Sequence, residues 1–117
     1  PWAARRFLAR WRPSLGMLME TELWPNLLAA AREARVPMAL VNARMSERSA
    51  AGYARFGGFA REAFASLACV AAQTPADAQR LRALGATSPV VTGNLKFDAQ
   101  PDPALLARGR DWRAGFS

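Results

Sequence analysis

The sequence predicts an α/β protein built on a Rossmann-like parallel sheet, its strands joined by crossover helices. Three observations carry this. Short apolar runs alternate with segments of helical period along the whole chain. Helix starts and stops carry capping residues. Each apolar run ends in a polar cluster, as the strand ends of open α/β sheets do. At 117 residues, 51% of them hydrophobic, the chain is long enough and apolar enough for one packed core.

The elements follow in order. Over residues 2–12, Ala4, Phe7, Leu8 and Trp11 recur at i, i+3, i+4, i+7, with Arg5, Arg6, Arg10 and Arg12 opposite, which predicts a short basic amphipathic helix. Pro13 ends it. Residues 15–19 form a compact apolar run, read as a buried strand. Trp24, Leu27, Leu28 and Ala31 give a helix over 24–35, with Pro25 in the first turn, where its missing N–H costs nothing. Residues 37–41 are a second strand. Residues 52–67 read as one helix with Tyr53, Phe56, Ala60, Phe64 and Leu67 on its buried stripe, and 68–72 as a third strand. Thr74-Pro75-Ala76-Asp77 is a capping-box-like start with an acid in place of Glu. It opens a helix over 75–84 that buries Leu81 and Leu84 and stops at a left-handed Gly85. Residues 89–92 are a fourth short strand, and Asp102-Pro103 caps a final helix. There is no internal repeat.

Sixteen Lys and Arg against nine Asp and Glu give a net charge of +7, and only one of the sixteen, Lys96, is a lysine. Such a balance favours anionic partners: nucleic acid, phosphorylated lipid or an anionic membrane surface. The arginines are spread through all segments with no motif of a nucleic-acid module, so no nucleic-acid partner is expected. The single cysteine, Cys69, cannot form an internal disulfide and suits a reducing setting. No apolar run approaches the roughly 18 residues that cross a bilayer. The chain has no signal-peptide pattern and does not begin with Met, so it reads as a piece of something longer.

The polar clusters fall where ligands bind in such sheets. Glu20-Thr21-Glu22 follows the first strand, Asn42-Ala43-Arg44 the second, Gln73-Thr74 the third and Gly93-Asn94-Leu95-Lys96 the fourth. Each also has a plain structural reading. Glu20 and Glu22 suit a helix N-terminus. Ser46 and Ser49 suit a helix cap, Arg44 and Arg48 a solvated loop, Gly93-Asn94 a turn, Lys96 the surface, and Gln73 the satisfaction of backbone groups.

Sequence context favours the functional reading. Residues 19–26 (Met19-Glu20-Thr21-Glu22-Leu23-Trp24-Pro25-Asn26) resemble the central signature of the Kdo transferases, enzymes that transfer 3-deoxy-D-manno-octulosonic acid (Kdo). So do residues 41–53, from Val41-Asn42-Ala43-Arg44 through Ser46, Arg48 and Ser49 to Tyr53. A third block is Ala71-Ala72-Gln73 with Asp77-Ala78, Arg80-Leu81 and Leu84-Gly85-Ala86. The fourth, Val91-Thr92-Gly93-Asn94-Leu95-Lys96-Phe97-Asp98, keeps the family's order. One departure is Met45 where the family often has Leu, an apolar swap of little consequence.

The resemblance implies the N-terminal, acceptor-side half of a GT-B glycosyltransferase. Residues 1–100 would be the second half of that Rossmann-like domain, and 101–117 a helix leading toward a C-terminal domain outside this chain. It implies an inverting, metal-independent transfer of Kdo from CMP-Kdo, with no cofactor, to a glucosamine hydroxyl of a lipid A precursor (lipid IVA) in lipopolysaccharide core biosynthesis. The expected setting is the cytoplasmic face of the inner membrane. It assigns Glu20 and Lys96 to transition-state stabilisation. Glu22, Asn42, Arg44, Ser46, Arg48, Ser49, Gln73, Gly93 and Asn94 are the substrate-binding candidates. The family's general base, a Glu in an upstream segment, has no counterpart here, so the fragment alone is expected to be inactive. The rival enzyme class is a related sugar transferase or epimerase on the same fold, from which the Glu20 and Lys96 blocks separate it.

Overall fold

A computed structural model of the chain describes residues 2–97 and 103–115. The order is α1 (Trp2–Trp11), β1 (Gly16–Met19), α2 (Pro25–Glu33), β2 (Met38–Ala43), α3 (Glu47–Ala54), α4 (Gly57–Ala65), β3 (Cys69–Ala72), α5 (Pro75–Ala83), β4 (Val90–Val91), a 3-10 turn at Leu95–Phe97 and α6 (Pro103–Ala114). The four strands form one parallel sheet in the order β1-β2-β3-β4, with Gly16 paired to Met38, Ala39 to Cys69 and Ala71 to Val90. The Rossmann-like α/β expectation holds.

Right-handed crossovers between strands laid down in sequence order put the connecting helices on one face. The core agrees. Met38 and Leu40 of β2 and Val70 and Ala72 of β3 share a buried cluster with Leu28 and Ala31 of α2, Phe64 of α4, Leu67, and Leu81 of α5. The alternate strand positions, Met17, Met19, Cys69 and Val90, point to the opposite face and are exposed.

That asymmetry corrects the expectation for residues 15–19. Among the described residues of this chain they are not a buried strand: β1 pairs only with β2, Leu15 and Met19 are half exposed, and Met17 is 66% exposed. Only the face that carries Leu18 packs on the core. A compact apolar run fits a fully covered strand and a half-covered one equally well.

The single helix at 52–67 is also corrected. Two helices occupy 47–65, broken at Arg55 and Phe56. Ser46 caps the first by accepting the Ser49 N–H, which starts the helix before Gly52. Gly57 takes φ +52, and the Gly57-Gly58 pair has little helix propensity, so the chain re-enters a helix on a new axis. Ala60, Phe64 and Leu67 are buried as expected, Tyr53 meets Phe64 edge-on at 5.3 Å, and Phe56, beside the break, is exposed.

The local signals at 74–85 hold closely. The Thr74 hydroxyl accepts the Asp77 N–H at 3.1 Å, Pro75 opens α5, and Gly85 stands at φ +112. The Ala86 N–H reaches back to the Leu81 carbonyl and the Gly85 N–H to that of Arg82, a Schellman stop. The fourth strand is shorter than expected, two residues. The final helix begins at Pro103, and its expected cap at Asp102 lies outside the described residues. In α1, Leu8 is buried while Phe7 and Trp11 stay exposed, so the packed stripe is narrower than the sequence pattern. Arg5 pairs with Glu33, and Arg6 and Arg10 lie over the rings of Trp2 and Trp11.

Candidate functional site

Parallel register brings the C-terminal strand ends to one edge. Met19 pairs with Val41, Ala43 with Ala72, and Ala72 with Val91. Glu20, Arg44, Gln73 and the loop at 92–97 therefore emerge together, as the sequence pattern requires.

Glu20 holds a left-handed backbone, φ +58, unusual outside glycine and common where a site dictates geometry. Its N–H extends the β1–β2 ladder to the Val41 carbonyl at 2.9 Å, and its side chain is exposed. With Met19, Glu22 and Trp24 it lines an open cavity of about 460 Å³. Thr21, which the sequence reading passed over, ties this loop to the next: its hydroxyl donates to the Arg44 carbonyl, and the Tyr53 hydroxyl donates to the Thr21 carbonyl at 3.2 Å.

Arg44 and Arg48 are exposed and form no ion pair among the described residues. The loop that carries Arg44 is held from below. Met45 is fully buried; its N–H donates to Asp77 Oδ1 at 2.7 Å and its carbonyl accepts from Arg80 Nη1 at 3.2 Å. Arg80 Nη2 also reaches Glu47 at 3.1 Å. Asp77 and Arg80 thus clamp both backbone groups of Met45. Sequence reasoning placed Asp77 in a helix cap and in a family block but missed this bond, because the contact spans 32 positions and leaves no local signal.

The smaller polar candidates are engaged within the protein. Ser46 and Ser49 bond to each other at 2.9 Å while Ser46 caps α3. Asn42 is 4% exposed with φ +52, and its Oδ1 accepts the Leu95 N–H at 3.2 Å. Gln73 Nε2 donates to the Asn42 carbonyl at 3.0 Å. Gly93 takes φ +83, and Asn94 Oδ1 accepts the Lys96 N–H at 3.0 Å, turning the chain into Leu95–Phe97. Lys96 is exposed, and its ammonium has no partner among the described residues.

The edge thus presents carboxylates at Glu20 and Glu22 and cations at Arg44, Arg48 and Lys96, with Arg48 in the first turn of α3 and the others on connections held by side-chain bonds. Charges of both signs at one rim suit stabilisation of charge that separates during group transfer. No group of three His, Cys, Asp or Glu side chains able to hold a metal ion occurs among the described residues. No described helix is long and apolar enough to cross a membrane.

Residues 1–99 match the family described as 3-deoxy-D-manno-octulosonic-acid transferase (kdotransferase). The 3-deoxy-D-manno-octulosonic acid transferase of Bordetella pertussis is 53% identical over 96% of this chain and 26% of its own length. That of Haemophilus influenzae is 33% identical over 92% of this chain and 26% of its own. That of Rickettsia bellii is 35% identical over 78% and 22%. This chain spans about a quarter of the length of these curated relatives. A match covering nearly all of the chain, on a parallel sheet whose signature loops share one edge, makes it a member of the 3-deoxy-D-manno-octulosonic acid transferase family.

Proposed function

We propose that this chain is the second half of the acceptor-side domain of a GT-B glycosyltransferase that moves Kdo from CMP-Kdo to lipid IVA in lipopolysaccharide core biosynthesis. Residues 101–117 lead toward the domain that holds the donor nucleotide, which is not part of this chain. The names of the relatives support Kdo transfer. The observation that carries the rest is the shared sheet edge, where Glu20, Arg44 and Lys96 are exposed and uncommitted while the polar side chains around them are spent on holding the loops.

The chemistry follows from charge. As CMP departs, negative charge grows on its phosphate and positive charge on the sugar ring. The Lys96 ammonium balances an anion there, the phosphate or the Kdo carboxylate, so the transfer needs no metal ion and no cofactor. The Glu20 carboxylate supports the cationic sugar or orients the acceptor hydroxyl. Attack on the face opposite the leaving phosphate inverts the anomeric centre. The group that removes the hydroxyl proton is outside this chain, so these residues alone bind and stabilise without turning over.

Arg44 and Arg48 offer planar, bidentate partners to the phosphates of the lipid acceptor. The arginines and the exposed Trp2, Phe7 and Trp11 of α1 suit an anionic bilayer surface, in keeping with work at the cytoplasmic face of the inner membrane. The test is direct. A full-length chain carrying this segment, given labelled CMP-Kdo and lipid IVA in detergent with excess EDTA, should label the lipid. No transfer with CMP-Kdo but transfer with another sugar nucleotide would reassign the donor.

A further inference from the structure

Glu20 and Lys96 share the C-terminal edge of the sheet but follow its two outermost strands, β1 and β4. Strands in a sheet lie about 4.8 Å apart, so the ends of β1 and β4, three spacings apart, are separated by about 14 Å. Groups that act on one reacting centre must converge more closely than that. Long side chains span part of that gap, and a bond that carries the loop after β4 inward closes more of it.

We propose that Asn42 supplies that bond: a positioning residue that draws the Lys96 loop inward over the end of β3 by tying it to β2, the strand beside the one that delivers Glu20. The inference rests on the proposed catalytic role of Lys96. The last ladder bond of β4 runs from the Thr92 N–H to the Ala72 carbonyl at 2.9 Å, on β3. Three residues later the Leu95 N–H is on Asn42 Oδ1, on β2. The loop has moved one strand inward, to about two spacings, or about 10 Å, from the line of β1. Asn94 then folds the next turn by accepting the Lys96 N–H.

Asn42 is built for this. It is one of two buried polar residues, with Asp77, among the described residues. Its left-handed backbone breaks the β2–β3 register between Leu40 and Ala43, so its side chain leaves the regular alternation of the strand. Asparagine tolerates that conformation better than most residues. Gln73 holds the distorted peptide by donating to its carbonyl. A carboxamide oxygen that receives Leu95 from 53 positions away ties loops, whatever the substrate.

The test separates the backbone from the tether. Asn42→Gly accepts the left-handed conformation and removes the acceptor, whereas Asn42→Asp keeps an acceptor oxygen. Both are made in a full-length chain carrying this segment, alone and with Lys96→Met. Asn42→Gly should lower kcat by about 10- to 100-fold, leave the KM for CMP-Kdo within about twofold, and have almost no further effect once Lys96 is Met, because the two losses are one. Amide exchange at Leu95 should quicken by about tenfold or more in Asn42→Gly and return toward the parent rate in Asn42→Asp. An Asn42→Gly loss of equal size in the parent and in the Lys96→Met background would overturn the proposal, as would unchanged Leu95 exchange. If Lys96→Met alone keeps the parent kcat, the catalytic reading of Lys96 fails; quickened Leu95 exchange in Asn42→Gly would still uphold the tether, and unchanged exchange would sink it too.

Discussion

Asp77→Ala probes how the site's floor is held. The side chain is buried, its Oδ1 accepts the Met45 N–H at 2.7 Å, and Met45 is itself fully buried, so water cannot replace the lost partner. An orphaned buried N–H costs about 1–3 kcal/mol, and bonds to a charged acceptor lie at the upper end of that scale. The α5 cap survives, because the Thr74 hydroxyl still accepts the N–H of residue 77. A loss of about 2–3 kcal/mol is therefore expected for Asp77→Ala, against about 1 kcal/mol for Asp77→Asn, which keeps an acceptor oxygen without the charge. Denaturant midpoints with unchanged slope give the free energies. Amide exchange at Met45 shows whether the loss is local. Equal destabilisation by Ala and Asn, or a Met45 amide as protected in Asp77→Ala as in the parent, would refute the clamp.

Three further outcomes follow. Gly85→Ala should cost about 2 kcal/mol or more, because the residue sits at φ +112 and a Cβ there would lie 2.9 Å from the Arg61 carbonyl oxygen; thermal melts check this. Phe64→Ala, fully buried at the centre of the core, should cost about 3–5 kcal/mol by chemical denaturation. Arg44→Ala in a full-length chain should raise the KM for the lipid acceptor far more than that for CMP-Kdo; equal rises for both would count against an acceptor-phosphate role.

What was legible in the sequence was whatever is written locally. Thr74, Pro75 and Gly85 each satisfy or spare particular backbone groups within a few residues, so both ends of α5 could be placed. The alternation of strand and helix placed Glu20, Arg44, Gln73 and Lys96 at one edge, because in parallel sheets every strand must end on the same side. The errors came where the neighbours decide. Residues 15–19 look the same whether one face or two are covered, and only the sheet order shows that β1 has β2 as its one neighbour among the described residues. The Gly57-Gly58 pair marked the helix break, but the stripe from Tyr53 to Leu67 concealed it. The bonds from Thr21 to Arg44, Asp77 to Met45 and Asn42 to Leu95 join residues 23, 32 and 53 positions apart, so no sequence window contains them.

The central claim is that Glu20 and Lys96 act on the transition state of Kdo transfer. The most direct measurement is kcat, paired with a thermal melt, for Glu20→Gln, Glu22→Gln and Lys96→Met in a full-length chain carrying this segment. Glu20→Gln and Lys96→Met should each lower kcat by about 10²–10³, the size seen when one preorganised charge partner is removed. Their melts should match the parent, because both side chains are exposed and make no bond to the described residues. Glu22→Gln should lose much less. Parent-like kcat in the Glu20 and Lys96 variants, or losses that track a lowered melting temperature, would contradict it.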